Sequence, residues 1–407
     1  MSKLTVTLET VTPLFMGGAN QQAELRPAEF RGALRFWWRA LWGGTHGDNW
    51  QDMRKAEAQI FGDTTQASPI VIRLKPLEIS PPKPLEFSLD SGKGYLLWTT
   101  SRRDSEREAY PAQKAKFQIE ISLRPGSTAL HAFNETAAAL WLLINLGGIG
   151  TRARRGLGSL TVTQEPVGWP VNFPQLYSVF GTPNELANYI KTGIRGLCKA
   201  LNWQMLVSLN TPTDFDILNY DTSKVYVLRS PLWPNCDSTL NGIGDLLRSF
   251  RGSKPPDHDG VLAVIKGQGR PKTVTRAAFG LPMQFYYRAY HEQCTREEQV
   301  RSGTYWKEAQ GKTRFKATAD VTVGGKEKDA DRRASPLLFK VAPIAGGQFT
   351  VVIVFFESRL LKDEQRILIK PRDRNVKPVL VRAPDYDVIK EFLSSLPLIP
   401  ALGVNNE

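Results

Sequence analysis

The sequence predicts an α+β chain, and three observations predict it. Period-two alternation opens it, with Leu4, Val6 and Leu8 on one face of the stretch Leu4 to Val11. A helical stripe follows at the i, i+3, i+4, i+7 spacing, carried by Phe30, Ala33, Leu34, Trp37 and Leu41. The first half then reads strand, helix, strand, strand, helix, strand, an order that puts two helices on one face of an antiparallel sheet.

The elements of the first half can be taken in order. Leu4 to Val11 is the first strand. The first helix runs from Pro27 to Trp42: Pro27 suits the first helical position, Glu29 the positive end, and Gly43-Gly44 is expected to end it. Ile70 to Leu74, Tyr95 to Trp98 and Phe117 to Leu123 read as strands. Pro81 to Pro84 and the charged stretch Ser101 to Glu108 read as loop. A second helix, apolar nearly all round and therefore expected to be buried, spans Asn134 to Gly147. Ser159 to Thr163 closes the set as a strand. The order βαββαβ is that of a ferredoxin-like fold, two helices on one face of an antiparallel sheet.

The second half reads as another α+β unit. Glu185 to Leu201, Leu240 to Phe250 and Asp385 to Ser395 are helical in pattern. Val225 to Leu228, Val261 to Ile265, Met283 to Tyr287, Leu337 to Val341 and Phe349 to Phe356 are strand-like. Residues 165–180, rich in proline and aromatics, mark the domain junction, giving domains 1–165 and 181–407. Residues 291–332, polar and highly charged, read as a long mobile loop.

Composition narrows the partners. The 407 residues are 41% hydrophobic, enough for packed cores, and carry a formal net charge of +13. Such an excess of Lys and Arg favours a polyanionic partner, nucleic acid first and a membrane surface second, over a merely soluble basic protein. Cys198, Cys236 and Cys294 form no CxxC pair, which points away from disulfides and structural zinc and toward the cytoplasm. Ser2-Lys3-Leu4 opens directly into strand pattern, so no signal peptide is expected. Its longest apolar run, Ala137 to Leu146, falls short of the roughly 20 residues a membrane span needs.

Two basic features follow. Arg31, Arg35 and Arg39 lie one turn apart and share a helix face with Trp38 and Trp42. Guanidinium forks match phosphates and indoles stack on bases. The face therefore suits RNA, another subunit, or plain solvation. Residues 147–159, GGIGTRARRGLGS, hold five glycines and three arginines with no acid. Gly148 to Ala153 matches the letters of the dinucleotide fingerprint GxGxxG/A, but it follows a helix and precedes a strand, the reverse of what that site needs. The loop suits instead a phosphate backbone, with Gly148, Gly150 and Gly156 allowing close approach and Arg152, Arg154 and Arg155 supplying charge. Lys266 to Arg276, containing Arg270 and Lys272, and the pair Arg332-Arg333 are further basic candidates.

Catalytic signals are sparse. No Walker A sequence occurs, no cofactor or metal is expected, and the acidic pairs Asp214/Asp216 and Asp257/Asp259 read as turn chemistry. Of His46, His131, His258 and His291, only His46, expected in a loop just past the first helix, is a candidate general acid or base.

A resemblance now enters. Leu4 to Val11 followed by Thr12-Pro13-Leu14-Phe15-Met16-Gly17-Gly18, together with the late glycine-rich loop, resembles the RAMP superfamily of CRISPR-associated proteins. Glu24 to Pro27 and Phe30 to Leu41 (FRGALRFWWRAL), with Arg332 to Leu337 (RRASPL), are similar to the family of subunit one of Cmr-type, type III-B effector complexes. That resemblance implies two tandem ferredoxin-like (RRM-like) domains with insertions. It implies a non-catalytic place beside other RAMP subunits, contacting the 3′ part of a CRISPR guide RNA or the guide–target duplex in antiviral defence. Target cleavage and cyclic oligoadenylate synthesis would belong to other subunits. The alternative is a metal-independent endoribonuclease that processes CRISPR repeat RNA through His46.

Overall fold

The computed structural model describes residues 2–18, 22–97, 107–176, 179–206, 209, 212–253, 255–293, 317–324 and 332–403. Most of the charged stretch 101–108, most of 291–332, and Cys294 lie outside the described residues.

In chain order, β1 (Lys3–Thr10) leads to α1 (Pro27–His46), α2 (Trp50–Phe61), β2 (Ile70–Ile79), the short β3 (Lys83–Pro84), α3 (Gly92–Leu97), the short β4 (Glu108–Ala109), β5 (Ala115–Leu123), α4 (Leu130–Leu146) and β6 (Leu160–Val162). One antiparallel sheet has the order β2-β5-β1-β6. The two middle strands, β1 and β5, are those that lead into α1 and α4, so the sheet has the ferredoxin-like order. Leu4, Val6 and Leu8 face Ile121, Ile119 and Phe117 across β1 and β5, and all six are fully buried. That row is the core face which the period-two pattern predicts. The α1 stripe packs onto it, with the Phe30 and Phe117 rings 5.9 Å apart in edge contact.

The second part continues with α5 (Pro183–Ala200), β7 (Ser223–Leu228), α6 (Cys236–Gly252), α7 (Pro255–Ile265), β8 (Met283–Tyr286), β9 (Thr318–Gly324), β10 (Leu337–Ile344), β11 (Gln348–Phe356), β12 (Arg366–Pro371), β13 (Val379–Val381), α8 (Asp387–Ser394) and β14 (Leu398–Leu402). A second sheet has the order β10-β11-β7-β14, all antiparallel. Numbered within the sheet this is 2-3-1-4, the order of the first sheet again. The tandem ferredoxin-like architecture thus holds, and a third antiparallel sheet, β13-β12-β9-β8, is added to it.

The chain gathers into two compact units. One comprises Met1–Arg248, Leu337–Ser358 and Leu396–Glu407; the other Ser249–Pro336 and Arg359–Ser395. The first unit holds both ferredoxin-like sheets. Within it α4 packs against α1, α5, β5, β10 and β11, which is why its sequence is apolar on every side. The second unit holds the third sheet and an aromatic group in which Phe392 lies 5.2 Å from Phe250 and 6.1 Å from Phe279.

Several sequence expectations need correction. Gly43-Gly44 does not end α1, which runs to His46. A Cβ on Gly44 would sit 1.9 Å from the Leu218 carbonyl oxygen, and one on Gly43 2.8 Å from Ile217. These glycines admit a neighbouring segment; they do not stop the helix. Tyr95 to Leu97 belongs to helix α3, and Val261 to Ile265 to helix α7; a short apolar run has no period of its own. The second helix starts at Leu130, one turn before Asn134. Strand β9 lies inside the stretch 291–332 that reads as loop. Helix α2, whose N-cap Asn49 side chain accepts from the amides of Gln51 and Asp52, was not anticipated.

Candidate nucleic-acid interface

A groove of about 360 Å3 runs between the first turns of α1 and the glycine-rich loop, lined among others by Arg26, Glu29, Phe36, Gly148, Gly150 and Arg154. The loop owes its shape to close backbone approaches. A Cβ on Gly150 would lie 2.2 Å from the Phe15 carbonyl and one on Gly158 1.8 Å from the Ile149 carbonyl, both at positive φ. Gly148 is pressed on the Leu157 carbonyl, and Gly156, at φ +88°, faces Leu240. The amides of Ile149, Thr151, Gly156 and Gly158 donate to Gly158, Phe15, Ala153 and Pro13. The Thr12 hydroxyl donates to the Gly156 carbonyl. Much of the glycine content thus serves packing against residues 13–15.

Charge on this loop is held in place. Arg154 donates to Asp216 at 2.9 Å and lies 5.0 Å over the Phe36 ring, while Asp216 also accepts from the Ser358 hydroxyl at 2.6 Å. Asp216 is therefore an ion-pair partner, and the turn-chemistry reading is corrected. Arg152 adopts φ +65° and its burial holds its pKa below the ordinary arginine value. Arg155 forms a backbone bridge to Phe339.

The other flank of α1 carries Arg31 and Arg35 above a wider cleft of about 580 Å3, shared with Arg54, Arg124 and the loop after α2. Arg31 donates to the carbonyls of Phe61 and Ile70, both at 3.3 Å. Arg35 donates to Glu57 at 2.5 Å, and Arg39 stands 3.8 Å from the same carboxylate. Glu57 is 4% exposed. It lies on α2, so sequence reasoning could find it only by first finding that helix. Trp38 and Trp42, expected on this functional face, are 1% and 8% exposed and belong to the core. The Trp38 indole donates to Glu135 at 2.7 Å, and burial pushes the Glu135 carboxyl up to about 7.

In the second unit, Arg270 and Lys272 are exposed. Arg270 donates to the Leu380 carbonyl, and the Lys272 carbonyl accepts from the Arg382 amide at 3.2 Å. Arg332 is exposed; Arg333 exchanges both backbone bonds with Leu281. Gly280, at φ +112°, allows that approach, since its Cβ would stand 2.9 Å from the Ser335 amide. Asp257 accepts from the Thr275 amide, the Thr275 hydroxyl and the Arg276 amide at 2.6 to 2.8 Å. It ties together two segments 18 residues apart rather than making a local turn.

His46 is the last residue of α1, not a loop residue. Its ring stacks on Trp42 at 4.7 Å and meets Trp203 edge-on at 4.9 Å, and its Nδ1 lies 2.8 Å from the Thr45 hydroxyl. Among the described residues no three His, Cys, Asp or Glu side chains gather as a metal site, and no helix is long and apolar enough to cross a membrane.

Residues 7–161 match the RAMP superfamily. The CRISPR system Cmr subunit Cmr1-2 of Pyrococcus furiosus is 33% identical over 172 residues, 38% of this chain and 92% of that protein. Cmr1-1 of the same organism is 26% identical over 366 residues, 86% of this chain and 85% of that one. Among solved structures, apo Cmr1 from Pyrococcus furiosus superposes with a TM-score of 0.56 at 20% identity, covering 99% of both chains. A chain of a type III-B Cmr-beta complex bound to cognate target RNA and AMPPnP superposes with a TM-score of 0.51 at 13% identity, covering 96% of this chain and 98% of that one. These structural likenesses carry the fold.

Proposed function

We propose, from the premise that this chain belongs to the RAMP superfamily as a CRISPR Cmr subunit, that it is a non-catalytic RNA-binding subunit of a type III-B effector complex. Its partners are then guide RNA, target RNA and other RAMP subunits. Its specific place is the 3′ part of the guide or the guide–target duplex, with sequence read by base pairing rather than by side chains. The observation that carries the reading is the groove between α1 and the glycine-rich loop, with Arg154 fixed at its wall by Asp216 and Phe36. A guanidinium already oriented loses little freedom when it meets a phosphate. Relatives named as Cmr subunits, one of them similar over most of both chains, support the assignment.

Gly148, Gly150, Arg152, Arg154, Arg155 and Gly156 form the primary RNA surface in this proposal. Arg31, Arg35 and Arg39 on the far flank of α1, and Arg270, Lys272, Arg332 and Arg333 in the second unit, are secondary contacts to RNA or to neighbouring subunits. We read 1–165 and 181–407 as the two repeated modules, each containing one ferredoxin-like sheet. A soluble, cytoplasmic setting goes with this role.

The test is reconstitution with guide RNA and the other subunits, comparing the wild type with a triple Arg152→Ala, Arg154→Ala, Arg155→Ala variant. Weaker RNA binding with an unchanged far-UV spectrum is expected. Wild-type RNA retention in a folded variant overturns the assignment of the loop. Cleavage of repeat RNA by the isolated wild type in EDTA, abolished by His46→Ala, overturns the non-catalytic reading.

A further inference from the structure

We infer that the cleft beneath Arg31, Arg35, Arg54 and Arg124 is a separate oxyanion site that takes a terminal phosphomonoester. It lies on the opposite flank of α1 from the glycine-loop groove, and the inference does not depend on that loop's binding RNA.

Four guanidiniums line the cleft against two carboxylates, Glu57 and Asp63. Both acids already have work inside the protein. Glu57 is held by Arg35 at 2.5 Å and approached by Arg39, which is outside the cleft. Asp63 accepts from the Thr65 amide and hydroxyl at 2.8 Å and from the Gln66 amide at 3.0 Å, and these bonds hold its carboxyl below the usual range. Asp63 thereby shapes the loop. Two positive charges in excess remain over one cavity.

Those charges are also positioned. Arg31 is anchored by the carbonyls of Phe61 and Ile70, and the Arg124 Nε donates to the Ser68 carbonyl at 3.0 Å. Carbonyls orient a guanidinium without cancelling its charge. The loop from Gly62 to Ser68 closes tightly, since a Cβ on Gly62 would meet the Ser68 amide at 2.5 Å. Arg54 and Arg124 are exposed at the mouth, and Arg31 is half-buried at the wall. Like charges held this close repel until an anion enters, and burial with the Arg35 and Arg124 charges already lowers the Arg31 pKa. A phosphomonoester is close to dianionic at neutral pH and accepts paired N–H donors on several oxygens, which matches the excess charge and the guanidinium forks. At about 580 Å3 the cleft has the size of sites that hold small ligands.

The phosphate could come from a free nucleotide or from the end of an RNA strand, and the experiment separates the two. Isothermal titration of the full chain uses inorganic phosphate, AMP, adenosine, and one RNA oligomer with and without a terminal phosphate. Saturable binding of phosphate and AMP at one site, and none of adenosine, is expected. Arg54→Ala and Arg124→Ala should each weaken phosphate at least tenfold, while Arg154→Ala in the other groove should not. A phosphorylated oligomer binding tighter than AMP in a manner lost with Arg124→Ala assigns an RNA end; equal affinity assigns a free nucleotide. As a check independent of variant folding, inorganic phosphate should protect Arg54 and Arg124 of the wild type from phenylglyoxal. No phosphate binding by the wild type, or binding and protection insensitive to these two arginines, overturns the inference.

Discussion

Lys340→Met should make the first unit more stable at neutral pH, although it removes a hydrogen bond. Lys340 sits on β10, is 3% exposed, and donates to the Leu160 carbonyl. Burial lowers its pKa from 10.5 to about 7. A shift of that size corresponds to about 5 kcal/mol between the two protonation states. Between these two values the unfolded chain binds more protons than the folded one, so stability rises with pH across the window and the full penalty applies below about pH 7. From pH 7 to 9 the amine alone should add about 2 kcal/mol. Methionine removes the penalty and fills similar volume, but leaves the carbonyl without its donor, costing about 1–2 kcal/mol. The net gain at pH 7 is then roughly 2–3 kcal/mol. Urea unfolding of both proteins at pH 7 and pH 9 measures it, because every other titration is common to the pair. A variant less stable at pH 7, or a wild type with the same pH slope as the variant, would refute the reasoning: the amine would then be charged and paired.

Four further outcomes follow from the same geometry. Glu135, raised to about 7, favours the folded state below pH 4.5 and loses that contribution as pH rises to 7. Glu135→Gln, which still accepts from Trp38, should therefore flatten the melting temperature between pH 5 and 8 and stabilise by about 1–3 kcal/mol at pH 8. Trp37→Ala should cost roughly 3–5 kcal/mol in a thermal melt, since Trp37 is 2% exposed beneath β11 and α4. Arg35→Ala should destabilise by about 1–3 kcal/mol, more than Arg39→Ala, because it leaves the buried Glu57 with a partner only at 3.8 Å. Finally, single-stranded RNA affinity should fall steeply between low and high salt, in proportion to the phosphates neutralised, and a flat filter-binding curve would contradict that.

The Arg35 outcome shows where the sequence was legible. The stripe Phe30, Leu34, Trp37, Leu41 and the alternation of Leu4, Val6 and Leu8 report burial directly, because core faces follow the period of the element. They were enough to find the first ferredoxin-like unit. The arginine face of α1 was not legible in the same way. A guanidinium on a helix looks alike whether it meets phosphate or Glu57, and Glu57 is 22 residues from Arg35 on α2, whose polar sequence carries a weak apolar stripe. The assignment of Trp38 and Trp42 failed for a related reason. Both lie beside the arginines on the helical wheel, yet α2 and α4 cover that side, with the Trp38 ring 6.3 Å from Phe61. Glycines show the same limit at two places. Gly43-Gly44 reads as a stop and is a close contact; the glycines of the 147–158 loop read as access for a phosphate chain and also admit Phe15 and Pro13. A close approach leaves no periodic trace, because its cause lies in a distant segment.

The route of the chain through the second ferredoxin-like sheet bears on how the protein is made. Its inner strand β7 is complete by Leu228, but its neighbours β11 and β14 end only at Phe356 and Leu402. For more than a hundred residues of synthesis, β7 must wait at the ribosome with neither ladder formed, while the segments between supply strands to another sheet. Pairings that span so much chain form slowly. The first sheet, whose strands all lie before Val162, can close long before. Nascent chains halted after β6 should therefore already resist protease over the first sheet, whereas β7 should remain cleavable until the last strand has left the exit tunnel.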